Sequence, residues 1–145
     1  MGSTKTRLAI VAAVVALAVP AAVALAAATT FKGNGTDDPE VTVKFKRHGG
    51  AHPYVNGFQT MKMLYECSDG TTTFRSGVNL GTLKLGVKDN GKFSFHGTAD
   101  EDGVHYEARI SGKFTSKSKA TGTTTETRSK GIAKCSAKEP WEATK

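Results

Sequence analysis

The residue types here that could do chemistry are 4 histidines, 13 carboxylates and 2 cysteines. His48 and His52 lie in Arg47-His48-Gly49-Gly50-Ala51-His52-Pro53. Their spacing resembles a pair of metal ligands, but a glycine loop has no helix to align both rings, and a solvated turn is expected. A hairpin further on offers more. If Ala99 faces Val104, His96 stands opposite Glu107 on the polar face, and His105 lies diagonal to His96, within the roughly 8 Å of diagonal neighbours. His96, His105 and Glu107 then form a candidate surface site, a donor set suited to zinc or copper. Arg109, on the same face, argues instead for cross-strand charge pairing. Asp100-Glu101-Asp102-Gly103 could offer carboxylates to calcium, yet it lacks the spaced ligands and distal glutamate of an EF-hand loop. It reads as an acidic turn.

No reaction centre assembles from the remaining groups. The chain has no G-x-S-x-G nucleophile elbow and no carboxylate couple placed for glycoside hydrolysis. No catalytic residue, cofactor or metal is expected. Thr71-Thr72-Thr73 and Thr123-Thr124-Thr125 read as solvent-facing strand residues, and a flat threonine face could meet a sugar or another ordered surface. Trp141 is either a core plug or a stacking platform; as the sole tryptophan, close behind Cys135, it is assigned to the core. Asn34-Gly35-Thr36 matches a glycosylation sequon.

The cysteines gain meaning from the N-terminus. Lys5 and Arg7 precede an apolar run from Leu8 to Val19, then Pro20 and small residues to Ala28. That is the layout of a secretory signal peptide over residues 1–28, with cleavage after Ala26 or Ala28. The competing reading is a retained anchor facing outward, because a span needs roughly 20 apolar residues. An even cysteine count in an exported chain implies a disulfide. Joining Cys67 to Cys135 closes a loop of roughly 70 residues, with a chain-entropy gain of about 4 kcal/mol. An intermolecular bond and a reactive thiol are the alternatives; neither has a supporting neighbour such as a C-x-x-C pair.

Loss of the leader lowers the net charge from +7 to +5, since Lys5 and Arg7 leave 18 bases against 13 acids. A mildly basic domain is compatible with an anionic envelope or a polyanion, although such a balance also serves solubility. The lysines are scattered and form no stripe, so nucleic acid is not expected as a partner.

The elements that must position these residues have a period of 2. After a polar lead-in over 29–39, the domain is expected to run from 40 to 145. Val41, Val43 and Phe45 share one phase, as do Met61, Met63, Tyr65 and Cys67. Leu83, Leu85 and Val87 form a third set, Phe93 and Phe95 a fourth, and Val104 to Phe114 a fifth. Such alternation marks strands with one buried face. A three-residue loop, Asp89-Asn90-Gly91, sets Val87 opposite Phe93 and Leu85 opposite Phe95, keeping both apolar sets on one face. With Ala99 facing Val104, Phe93 falls opposite Ile110. Gly97, Gly112 and Gly122 are expected where the sheet is crowded or bends. The fold class is all-β: an antiparallel sandwich or barrel in one domain.

Several short pieces recur in a fixed order: Phe31-Lys32-Gly33, Val41-Thr42-Val43-Lys44-Phe45, Cys67-Ser68-Asp69-Gly70 and Gly91-Lys92-Phe93-Ser94. Ile110-Ser111-Gly112-Lys113-Phe114, Ala120-Thr121-Gly122-Thr123, Cys135 and Trp141-Glu142-Ala143 follow. In this the chain resembles small secreted actinobacterial all-β proteins of unassigned function. Ser136-Ala137-Lys138-Glu139-Pro140 departs from the small residue and glycine that commonly follow the second cysteine in that group. The resemblance implies a β-sandwich or barrel with a Cys67–Cys135 bridge, and no activity. An immunoglobulin domain is disfavoured, as no tryptophan lies between the cysteines.

The function expected is therefore that of an exported, non-catalytic β-domain binding a cell-envelope component, a glycan such as cell-wall polysaccharide, or an extracellular protein. The alternative is a secreted inhibitor or effector whose contact is an exposed loop, His48 to Tyr54 or Asp69 to Arg75.

Overall fold

A computed structural model describes residues 27–75 and 77–145. Residues 1–26, the bulk of the expected leader, lie outside them. Ten strands form one antiparallel sheet: β1 (Thr29–Gly35), β2 (Thr42–His48), β3 (Tyr54–Met61), β4 (Met63–Cys67), β5 (Thr72–Arg75), β6 (Leu85–Gly86), β7 (Lys92–Glu101), β8 (Val104–Phe114), β9 (Lys119–Lys130) and β10 (Ala133–Thr144). The sheet runs β6-β3-β2-β1-β10-β9-β8-β7. Its ends approach where the Lys88 amide donates to the Lys92 carbonyl at 2.9 Å, giving a nearly closed barrel.

Alternation decides what fills it. Phe31, Phe45, Phe58, Phe93, Phe114 and Trp141 all point inward and are at most 8% exposed. Phe45 is the hub, its ring centroid 5.3 Å from that of Phe31 and 5.8 Å from those of Phe58 and Trp141. At roughly 25 cal/mol per Å² of buried apolar surface, this cluster dominates the driving force for folding.

The expected lead-in is corrected by this packing. Residues 29–35 form β1, which pairs with both β2 and β10. Phe31, the single aromatic of that segment, is fully buried, and its burial draws the polar residues around it into the sheet.

The strand expected from Met61 to Cys67 is two strands. Lys62 adopts φ 60°, a left-handed conformation that costs an L-residue energy. The break reverses the phase: Thr60 and Met63 are buried, while Met61 is 43% exposed. The chain thereby leaves β2 and enters the β4–β5 hairpin, which joins β10 at Cys135↔Cys67 and Ser136↔Glu66. The disulfide Cys67–Cys135 spans these facing residues, whose Cα atoms are 3.9 Å apart.

Two further registers differ from expectation. The Asp89-Asn90-Gly91 loop forms, with Gly91 at φ 79°. Beyond it Leu85 pairs with Val55 of β3 and Phe95 with Ile110, so Leu85 and Phe95 share the core but no ladder. The β7–β8 turn is Asp102-Gly103 alone, both at positive φ (51° and 75°), matching the twist of its flanking strands. It sets Glu101 opposite Val104 and moves the hairpin register by two. Phe93 then faces Gly112, and Ile110 faces Phe95. A shift of two keeps every side chain on its face, so hydrophobic pattern alone could not choose between these registers.

A candidate ligand pocket at the barrel mouth

The inward residues of β9 are Ala120, Gly122, Thr124, Glu126 and Arg128, in chain order. The first three lie among the aromatic rings. Glu126 and Arg128 lie towards the open end, still in phase with the core. Beside them β7 contributes Phe95, Gly97 and Ala99, and β8 contributes Tyr106 and Ala108. The small residues leave a cavity of about 420 Å³, walled on its far side by Val78 to Leu80. Phe95 folds across Gly97, where an added Cβ would lie 2.5 Å from the ring. Size and position suit a ligand site in a barrel mouth.

Glu126 is 4% exposed. Its carboxylate accepts a short hydrogen bond from Arg128 Nε. Arg128 Nη2 donates to the Tyr65 hydroxyl at 3.2 Å, and the guanidinium stacks 4.5 Å above the Tyr65 ring. Tyr106 lies on a further side, 5.4 Å away. Burial and the neighbouring Glu126 charge push the Tyr65 phenol far above its ordinary pKa. For Arg128, burial favours losing the proton, but the Glu126 hydrogen bond and Tyr65 outweigh it, so its pKa stands above the ordinary value. The three groups satisfy one another, which is what holds a charge pair at a wall of low polarity. A second cavity of about 190 Å³ adjoins the far side of Tyr106 and Arg128 and reaches Cys135.

Residues singled out from the sequence lie elsewhere. The two-residue turn sets His96 opposite Arg109 and His105 opposite Asp100. His96 Nε2 still reaches Glu107 diagonally, at 3.0 Å, and Arg109 shares that same oxygen at 2.8 Å. These bonds, that of Arg109 first, hold the Glu107 carboxyl below its ordinary pKa. His105 bonds Asp100 at 2.8 Å instead of joining His96. The expected cluster of His96, His105 and Glu107 is thus divided between two hydrogen-bonded contacts on the outer face, His96 with Glu107 and His105 with Asp100. Among the described residues no three His, Cys, Asp or Glu side chains gather to hold a metal.

His48 stacks on Tyr54 and bonds Asn56, while His52 is exposed. The amide of Asn34, in the sequon, donates to the Pro39 carbonyl at 2.9 Å and serves the β1–β2 loop. Thr124, expected on the surface, is fully buried; Thr123 and Thr125 flank it on the outer side. Trp141 lies in the core.

Glu126 and Arg128 escaped the sequence reading, although a signal existed. Counting by twos from Ala120 puts both on the inner face, where a charged pair departs from the pattern.

No protein-family model matches this chain, and neither a curated protein nor a solved structure matches it.

Proposed function

We propose that this chain is a non-catalytic binding domain, active outside the cell, that takes an uncharged glycan fragment of the cell envelope into its barrel mouth. The observation that carries this reading is an inward Glu126–Arg128 pair beside an open space kept by Gly97, Ala99 and Ala108. A charged ligand would compete with one member of the pair and strand the other, at a cost of about 3–5 kcal/mol. A sugar ring avoids that cost. Its hydroxyls can donate to the carboxylate and accept from the guanidinium, while its C–H face lies on Phe95 or Tyr106. An extracellular setting is supported by the disulfide, a bond that persists in oxidising compartments.

The test is amide NMR of the full chain titrated with soluble, uncharged fragments from a cell-wall digest. Shifts should concentrate at Gly97, Ala108, Glu126 and Arg128. Ala108→Met should abolish them with little change in Tm. Shifts centred elsewhere, or unaffected by Ala108→Met, would overturn the assignment.

A second reading, a protein partner met through the Asp69–Arg75 segment, has its own observation. Leu64 and Phe74 face each other across β4 and β5 and are 39% and 57% exposed. Leu64→Ser with Phe74→Ser should abolish co-purification of such a partner and leave the glycan shifts unchanged.

A further inference from the structure

Opposite the pocket, on the outer face of β7 to β10, Lys92 stands directly across from Lys113. Like charges so placed repel and weaken a sheet. Among the described residues neither lysine is in an ion pair. Local rules broken without compensation in the fold tend to mark sites kept for function.

The surroundings suit an anion. The pair borders a shallow depression of about 430 Å³ that also takes in Ser111, Thr121, Thr123 and Thr36. Ser94, Ser111 and Thr123 continue as a row of hydroxyls in register across three strands. The floor is the backbone of Gly112 and Gly122, whose missing side chains are replaced on the inner side by the Phe93 and Trp141 rings. The single carboxylate at the rim, Glu142, is occupied by Lys119 at 2.9 Å. Two rows further along, Lys138 faces Thr125 and is in no ion pair among the described residues, whereas Arg109, on the other side of Thr125, is held by Glu107 at 2.8 Å. At about 3.4 Å per residue this row is separated from that of Lys92 and Lys113 by about 14 Å.

We infer that this face binds a polysaccharide bearing repeated phosphate or sulfate groups, with one group held between Lys92 and Lys113. Lysine acts there as a point charge and the hydroxyls as donors to the anion's oxygens. The further unpaired lysine, Lys138, favours a polymer over a single ion, since an open face encloses no small anion but can meet successive charges along a chain. This site is independent of the mouth pocket, from which the sheet separates it, and Ala108→Met leaves it intact.

The full chain is assayed with sulfated dextran, neutral dextran of equal length and inorganic phosphate. Retention on sulfated dextran should weaken with added salt, and neutral dextran should not bind. Lys92→Gln with Lys113→Gln should lower affinity at least about tenfold. A control of equal charge, Lys46→Gln with Lys62→Gln, should change it little, since Lys46 faces Thr30 and Asn56 and no other lysine. Relief of the repulsion should also raise the Tm of the Lys92/Lys113 variant, so lost binding cannot be ascribed to unfolding. Equal losses in both double variants would reduce the effect to overall charge and overturn the site. Absence of retention would overturn it outright. Inorganic phosphate binding as tightly as the polymer would overturn the polymer assignment in favour of a free-anion site.

Discussion

Trp141 donates its indole N–H to the hydroxyl of Thr124, 3.1 Å away inside the barrel. The two residues are diagonal neighbours on the inner face of β9 and β10, since Trp141 itself pairs with Gly122. The largest ring of the core is thereby held at a fixed depth by one polar contact. Thr124→Val keeps the shape and removes the acceptor. It should cost about 1–3 kcal/mol in urea unfolding, the range for stranding a buried donor. Thr124→Ser should recover much of that loss. Equal stability of the valine and serine variants would show that the hydrogen bond contributes nothing.

Gly112 and Gly122 face each other across β8 and β9, and each lies beneath a ring from the next strand. A Cβ on Gly112 would lie 2.3 Å from the Phe93 ring, which can tilt. On Gly122 it would meet both the Trp141 ring at 2.3 Å and the Ser111 carbonyl oxygen at 2.4 Å. Backbone yields less than a side chain. Gly122→Ala should therefore destabilise more than Gly112→Ala, whose overpacking cost is about 1–3 kcal/mol. Comparing their urea midpoints at equal m-value measures the difference.

The Cys67–Cys135 bond ties the β4–β5 hairpin to β10, beside a short ladder of two residue pairs, Cys135↔Cys67 and Ser136↔Glu66, and a bond from the Ser68 amide to the Lys134 carbonyl. Cys67→Ala with Cys135→Ala should lower stability by about 4 kcal/mol, as expected for a loop of this length. Amide exchange should rise first in β4 and β5. Tyr65, two residues before Cys67, should lose its hold on Arg128, which fluorescence quenching or NMR of the Tyr65 ring would report. Uniform acceleration across the barrel would contradict the local role.

Tyr65 carries a pH prediction with a definite sign. Its folded-state pKa is raised above the ordinary value of 10.0. The stabilisation is therefore complete below pH 10 and is lost as pH rises towards the folded pKa. Unfolding free energy should fall on going from pH 9 to pH 11 more steeply in the native chain than in Tyr65→Phe. Parallel curves would mean that the phenol is not buried in its neutral form.

Much of this architecture could be read from residue order alone. Alternation at Val41-Thr42-Val43-Lys44-Phe45 identifies a half-buried strand, and so does the run from Val104 to Phe114. The loop at Asp89-Asn90-Gly91 could be chosen because the competing loop would put Val87 and Phe93 on opposite faces. Where two registers preserve the faces, the sequence is silent. The Asp102-Gly103 turn moved the position facing His96 from Glu107 to Arg109, left Glu107 within diagonal reach, and carried His105 away from His96 to face Asp100. The left-handed Lys62 was equally hidden, since nothing in a lysine announces it.

Class, alternation and the reason for the bridge are thus properties of the chain itself, because a two-residue period and an even cysteine pair act through local geometry and redox chemistry. Closure of the sheet, the convergence of Tyr65 with Glu126 and Arg128, and the meeting of Lys92 with Lys113 belong to the tertiary structure. They depend on strand pairings between residues far apart in sequence, and on registers fixed by turn conformation and by how rings settle over glycine.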